Sequence, residues 1–191
     1  MAKTRKDISP ALRNQIHQEY NHRCAICGAD RPQIHHIDED PSNNDPMNLI
    51  PLCPNCHLID QHNPSQPFDP EKLRLFRKYK DPTILFPQFE PLFSRLRYLF
   101  MFENLDVKAL EENSKELVDF VSALKMGDFY SKRIHGLTTR VKKAYTYSGI
   151  ASSRDLIFNH EADEYKKKLE GNRDRIISLV VELLRYQEWR L

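Results

Sequence analysis

The cysteines of this chain fall into two matched pairs, Cys24-Ala25-Ile26-Cys27 and Cys53-Pro54-Asn55-Cys56. The pairs lie about twenty-five residues apart and use every cysteine present. Two C-x-x-C knuckles at such spacing can close around one Zn²⁺ as a tetrahedral four-thiolate site. A redox C-x-x-C is the alternative chemistry for a single pair, but it leaves the match between the two unexplained. The start of the chain (Met1, Lys3, Arg5, Lys6, Asp7) lacks the apolar core of a secretion signal. The pairs therefore read as a structural zinc site and not as a disulfide framework.

Between the knuckles stand His35-His36-Ile37-Asp38 and then Asn48-Leu49-Ile50-Pro51-Leu52, with His57 directly after Cys56. Two consecutive residues on a strand project to opposite sides, so His35 and His36 can do different jobs. From Cys24 to His57, with Ala11 to Tyr20 as a leader helix, this pattern resembles the HNH (ββα-metal) endonuclease family. The resemblance covers a minor part of the chain and implies nothing about residues after Pro91.

What the resemblance implies is metal-dependent, endonucleolytic hydrolysis of DNA phosphodiester bonds. His36 would be the general base, and His35 and His57 would be ligands of a catalytic divalent ion. Asn48 would brace the loop between the strands and help orient His36. The physics agrees: such hydrolysis needs an activated water, stabilised phosphoryl charge and help for the leaving oxygen. An imidazole titrating near neutrality can take the proton of the water. Mg²⁺ is the expected ion on availability, with Mn²⁺ or Ni²⁺ able to substitute at imidazole ligands.

Neighbouring groups read more plainly. His62 is out of phase with His57 on a helix, and Asp60 reads as a solvated helix carboxylate. Asp38, Glu39 and Asp40 form an acidic turn between strands. Arg31 could reach a phosphate, but a lone arginine is usually just solvated.

The elements that must hold these groups follow from pattern. Ser9 and Pro10 start a helix over Ala11 to Tyr20 with Leu12, Ile16 and Tyr20 on one face. Arg31 to Ile37 reads as a strand, Asp38 to Pro46 as a loop, Asn48 to Leu52 as a second strand and Asn55 to Gln61 as a short helix. Asp69-Pro70 opens a helix over Glu71 to Tyr79. The fold class is α+β: a zinc-stapled ββα domain over residues 1–80, a proline-rich linker over 81–91 and an all-α domain over 92–191.

The composition is that of an ordinary globular chain, 40% hydrophobic and 29% charged with a net charge of +2, so any nucleic-acid surface must be local. No stretch reaches the length of a membrane span, which makes the cytoplasm the expected location. In the helical part, Arg133, Arg140, Lys142, Lys143 and Lys166 to Lys168 stand near Tyr145, Tyr147 and Tyr165. A nucleic-acid groove is one reading and a solvated mixed-charge surface the better one. Arg154 and His160 resemble the short arginine–histidine signature of helical HEPN ribonucleases, a pattern that arises easily by chance. The last helix, Asn172 to Trp189, carries Ile176, Ile177, Leu179, Val180, Val181, Leu183 and Leu184, more apolar surface than a surface helix needs. It predicts a homo-oligomer or a docked protein partner, unless the helix is central to its own bundle. The expected partner of the first domain is DNA. Two other readings stand beside the free enzyme: the nuclease subunit of a bacterial anti-phage defence or restriction complex, inactive until triggered, and a non-catalytic zinc module that binds nucleic acid.

Overall fold

A computed structural model describes residues 6–57, 69–140 and 152–188, with side chains from residue 160 onward in the last stretch. The architecture is α+β, a two-stranded antiparallel sheet among helices. The chain divides into two compact units, Met1–Leu85 and Phe86–Leu191. Among the described residues no helix is long and apolar enough to cross a membrane.

In the first unit, α1 spans Pro10–Glu19. Ser9 caps it by accepting from the Leu12 N–H, Pro10 takes the first position, and Ile16 is its fully buried side chain. Strands β1 (Gln33–His36) and β2 (Leu49–Leu52) pair antiparallel, with His35 opposite Ile50 and His36 opposite Leu49. All of β2 is buried, whereas in β1 only His35 is. The first strand is shorter than the sequence suggests at both ends. Arg31 adopts a left-handed φ of 58°, which no strand accommodates, and Ile37 already belongs to the following turn. Asn48 likewise closes a 3₁₀ turn, Pro46–Asn48, before β2 begins. Residues 54–57 are helical.

Helix α2, Pro70–Tyr79, is capped by Asp69 and stopped at Lys80 in the left-handed region. It carries the buried Arg77, whose Nη1 donates to Glu19 Oε2 at 2.7 Å. Its Nε and Nη2 donate to the Pro46 carbonyl at 3.3 and 3.2 Å. The guanidinium also lies over the Tyr20 ring, 5.5 Å from its centroid. One arginine thus ties α2 to the end of α1 and to the turn that delivers Asn48.

Residues 81–91, expected as a linker, are folded: two 3₁₀ helices, Pro82–Leu85 and Pro87–Phe89, bury Ile84 and Phe89. Proline starts each of them because its fixed φ suits a first helical position, which the spacing alone makes look like a linker.

The second unit contains α3 (Glu90–Leu96), α4 (Tyr98–Met101), α5 (Val107–Ser122), α6 (Gly127–Thr138) and α7 (Ser152–Leu184). Helix α7 has 33 residues and starts far ahead of the expected Asn172. Its charged early part hides the helical period, since only Tyr165 and Leu169 are buried among its described side chains before Asn172. The apolar run from Ile176 to Leu184 is covered inside this chain: Ile176, Ile177, Leu179, Val180, Val181, Leu183 and Leu184 are all buried, with α4, α5 and α6 packed against α7. The face that suggested an outside partner is central to its own bundle. Gly127 makes the α5–α6 corner possible, because a Cβ there would lie 2.3 Å from the Val121 carbonyl oxygen.

Candidate metal centre and histidine site

The four cysteines converge. Their Sγ atoms all lie within 4.8 Å of one another, and Cys27 and Cys53 are 3.6 Å apart. A disulfide would need about 2.05 Å. A zinc tetrahedron with Zn–S near 2.3 Å has edges of about 3.8 Å, so the donor set fits such an ion. Cys24, Cys53 and Cys56 are buried and Cys27 is exposed. Among the described residues this is the one cluster of three or more His, Cys, Asp or Glu side chains close enough to share an ion.

Local backbone builds each knuckle. The Cys24 N–H donates to the Ala29 carbonyl and the Gly28 N–H to the Cys24 carbonyl, with Gly28 at φ 73° to turn the chain back. Arg23 and Asp30 form an isolated antiparallel bridge at its base. The Ala25 N–H donates to the Pro51 carbonyl at 2.8 Å and fastens this knuckle to β2. In the second knuckle the Cys56 N–H donates to Cys53 Sγ at 3.4 Å. That contact draws the Cys53 thiol down to about 7, toward the thiolate a metal requires, while burial pushes Cys56 up.

The knuckles set the histidines beside one another. The rings of His35 and His57 meet edge to face with centroids 4.9 Å apart. His35 is buried at the pairing edge of β1; His57, half-buried, follows Cys56 directly, its N–H donating to the Cys53 carbonyl. His36, also half-buried, borders with both of them a cavity of about 490 Å³. The adjacent histidines differ in burial, yet both reach one cavity. Its remaining wall includes Lys6, Arg13 and Glu39. His35 and His57 are the imidazoles of this wall that could hold a divalent ion.

Asn48 is buried and spans the loop between the strands. Its Oδ1 accepts from the Asp38 N–H at 3.1 Å, and its Nδ2 donates to Asp38 Oδ1 at 2.8 Å and to the Asn43 carbonyl at 3.0 Å. It does not bond His36. That contact belongs to Asn44, whose Oδ1 lies 3.0 Å from His36 Nε2. In sequence Asn44 is one polar residue in a polar turn, and no motif marks it.

Asp38 is thereby a loop-building carboxylate. Burial pushes it up, but hydrogen bonds from Asn43 Nδ2 and the Asp40 N–H, together with Asn48, outweigh this and hold it below its usual value. Arg31 is exposed and lies outside the cavity wall. Asp60 and His62 lie outside the described residues.

In the second unit Arg133, Arg140, Lys166 and Lys168 have partners within the unit. Arg140 pairs with Glu161 at 2.8 Å, and Lys168 Nζ donates to the Gly136 and Thr139 carbonyls. Lys166 Nζ donates to the Glu103 carbonyl, and Arg133 lies over the Phe129 ring. His160 is exposed beside Glu164, while the side chain of Arg154 lies outside the described residues, as do Lys142, Lys143, Tyr145 and Tyr147. A larger cavity, about 610 Å³, lies against α5, α6 and α7, but it carries a single histidine, His135, and no metal-binding cluster. His35, His36 and His57 all line the smaller cavity of the first unit.

Comparison of the chain with protein-family models, with curated proteins and with solved structures gives no match.

Proposed function

We propose that the protein is a metal-dependent endonuclease of the HNH type, acting on DNA phosphodiester bonds, with a structural zinc held by Cys24, Cys27, Cys53 and Cys56. The observation that carries this reading is the meeting of His35 and His57 beside His36 at one cavity. Hydrolysis adds water across a P–O bond. The oxygen of the water bonds to phosphorus, its proton passes to His36, and the ester oxygen leaves as the P–O bond breaks. A divalent ion held by His35 and His57 would supply Lewis-acid stabilisation of the phosphoryl and leaving oxygens. The cavity wall carries Lys6 and Arg13 beside Asp7 and Glu39, and the two cations are the groups that would meet a phosphate. Asn48 acts at a distance, by fixing the loop from Asp38 to Asn43.

Incubating the purified full chain with plasmid, single-stranded DNA and RNA, each with Mg²⁺, Mn²⁺ or Ni²⁺, tests the proposal. Internal cleavage of DNA that stops on chelation is the expected result. Binding without cleavage under every metal would make the domain a non-catalytic zinc module instead.

A further inference from the structure

We infer that Asn44 is a positioning residue that holds His36 in the Nε2–H tautomer and leaves Nδ1 as the ring's proton acceptor. The use made of that tautomer rests on the general-base reading of His36; the tautomer itself does not.

Asn44 Nδ2 lies 3.1 Å from the Asp7 carbonyl and 3.3 Å from the Lys6 carbonyl. Carbonyl oxygens only accept, so the amide must turn its NH₂ toward them. The reversed amide would set its own oxygen against two others. Fixed this way, Asn44 presents Oδ1 to His36 Nε2 at 3.0 Å. An amide oxygen cannot donate, so Nε2 must carry the hydrogen. A neutral imidazole has one N–H, and its lone pair then sits on Nδ1.

Both ends of this relay are anchored. The Lys6 N–H donates to the Pro41 carbonyl at 3.1 Å, which pins the N-terminal segment on the loop. On the other side Asn48 Nδ2 holds the carbonyl of Asn43, the residue before Asn44. A partner that fixes ring orientation and tautomer raises the fraction of enzyme ready to take a proton, the role that outer-shell partners play around working histidines. Residues of the N-terminal segment thus reach the candidate general base through one side chain.

Long-range ¹H–¹⁵N spectra of the zinc-loaded full chain, labelled at histidine nitrogen and recorded where the ring is neutral, read the tautomer directly. His36→Gln identifies the signals by difference. The expected pattern is a protonated Nε2 and an unprotonated Nδ1 in the wild type. Asn44→Leu should show averaged tautomer signals, with kcat on DNA lowered about tenfold to a hundredfold and KM nearly unchanged. A protonated Nδ1 in the wild type would overturn the inference whether or not the variants fold, and so would an unchanged pattern in Asn44→Leu. If the Asn44-dependent pattern is present in a protein that cleaves nothing, the inference stands and the nuclease reading falls.

Discussion

His35 and His57 come from different elements, strand β1 and the helical turn after the second knuckle, yet their rings meet edge to face at 4.9 Å. His36, next in the chain, instead bonds Asn44. This division of labour predicts separable phenotypes. Titration calorimetry with Mn²⁺ on the zinc-loaded protein should show binding lost or weakened at least tenfold in His35→Ala and His57→Ala, the scale on which metal-site changes act. His36→Ala should bind Mn²⁺ nearly as the wild type does. Loss of the ion in His36→Ala alone would reverse the roles of the adjacent histidines.

The cysteine cluster predicts one tightly held zinc per chain. Structural zinc contributes on the order of 10 kcal/mol of apparent folding free energy in small domains. Cys24→Ser and Cys53→Ser should therefore yield insoluble protein or lose the cooperative melt of the first unit. Metal analysis by plasma emission, before and after a strong chelator, is the check. A first unit that stays folded after every zinc has been removed would contradict a structural role.

The Glu19–Arg77 pair predicts a pH-dependent stability. Arg77 is buried, and its hydrogen bond to Glu19 holds that carboxyl below the usual 4.5, against an opposing push from burial. Because the folded value is the lower one, the pair stabilises fully above about pH 4.5, and its contribution drains away as pH falls through the folded value. Glu19→Gln should lower stability by about 1–2 kcal/mol at pH 7, since Glu19 remains partly screened by water. Urea melts of the two proteins should converge as pH falls below 4.5 and through the folded value of Glu19. A difference that persisted undiminished in acid would mean that the ionic contact contributes nothing.

At the α5–α6 corner, Gly127→Ala has no room for its methyl group, which would press on the Val121 and Ser122 carbonyls. A loss of about 1–3 kcal/mol is expected, with the backbone shifting to make space. Gly136→Ala, where a Cβ meets nothing within 4 Å, is the control and should be neutral or slightly stabilising. Equal melting temperatures for the two variants would count against the described corner.

Local chemistry was legible in the sequence wherever a residue type forces a geometry. Ser9-Pro10 and Asp69-Pro70 mark helix starts, and the paired cysteines mark their own cluster. Less was legible where tertiary contacts decide. Arg31 reads as strand, but the bridge between Arg23 and Asp30 and the turn at its own φ of 58° keep it out. The early part of α7 carries too few buried residues to print a period, and the apolar crowd at its end reads as an interface because its cover comes from helices distant in sequence. Asn44 illustrates the same limit at the site: its contacts to Lys6, Asp7 and His36 exist only once the loop has folded.

In the proposed reaction His36 activates water at a site whose divalent ion is held by other residues. Conversion of supercoiled plasmid to nicked and linear forms, at saturating Mn²⁺, compares wild type with His36→Ala most directly. The account predicts cleavage by the wild type and a rate lower by about 10²–10⁴-fold in the variant, with DNA binding retained. A His36→Ala protein that cuts as fast as the wild type, or a metal-loaded wild type that cuts no DNA, would contradict it.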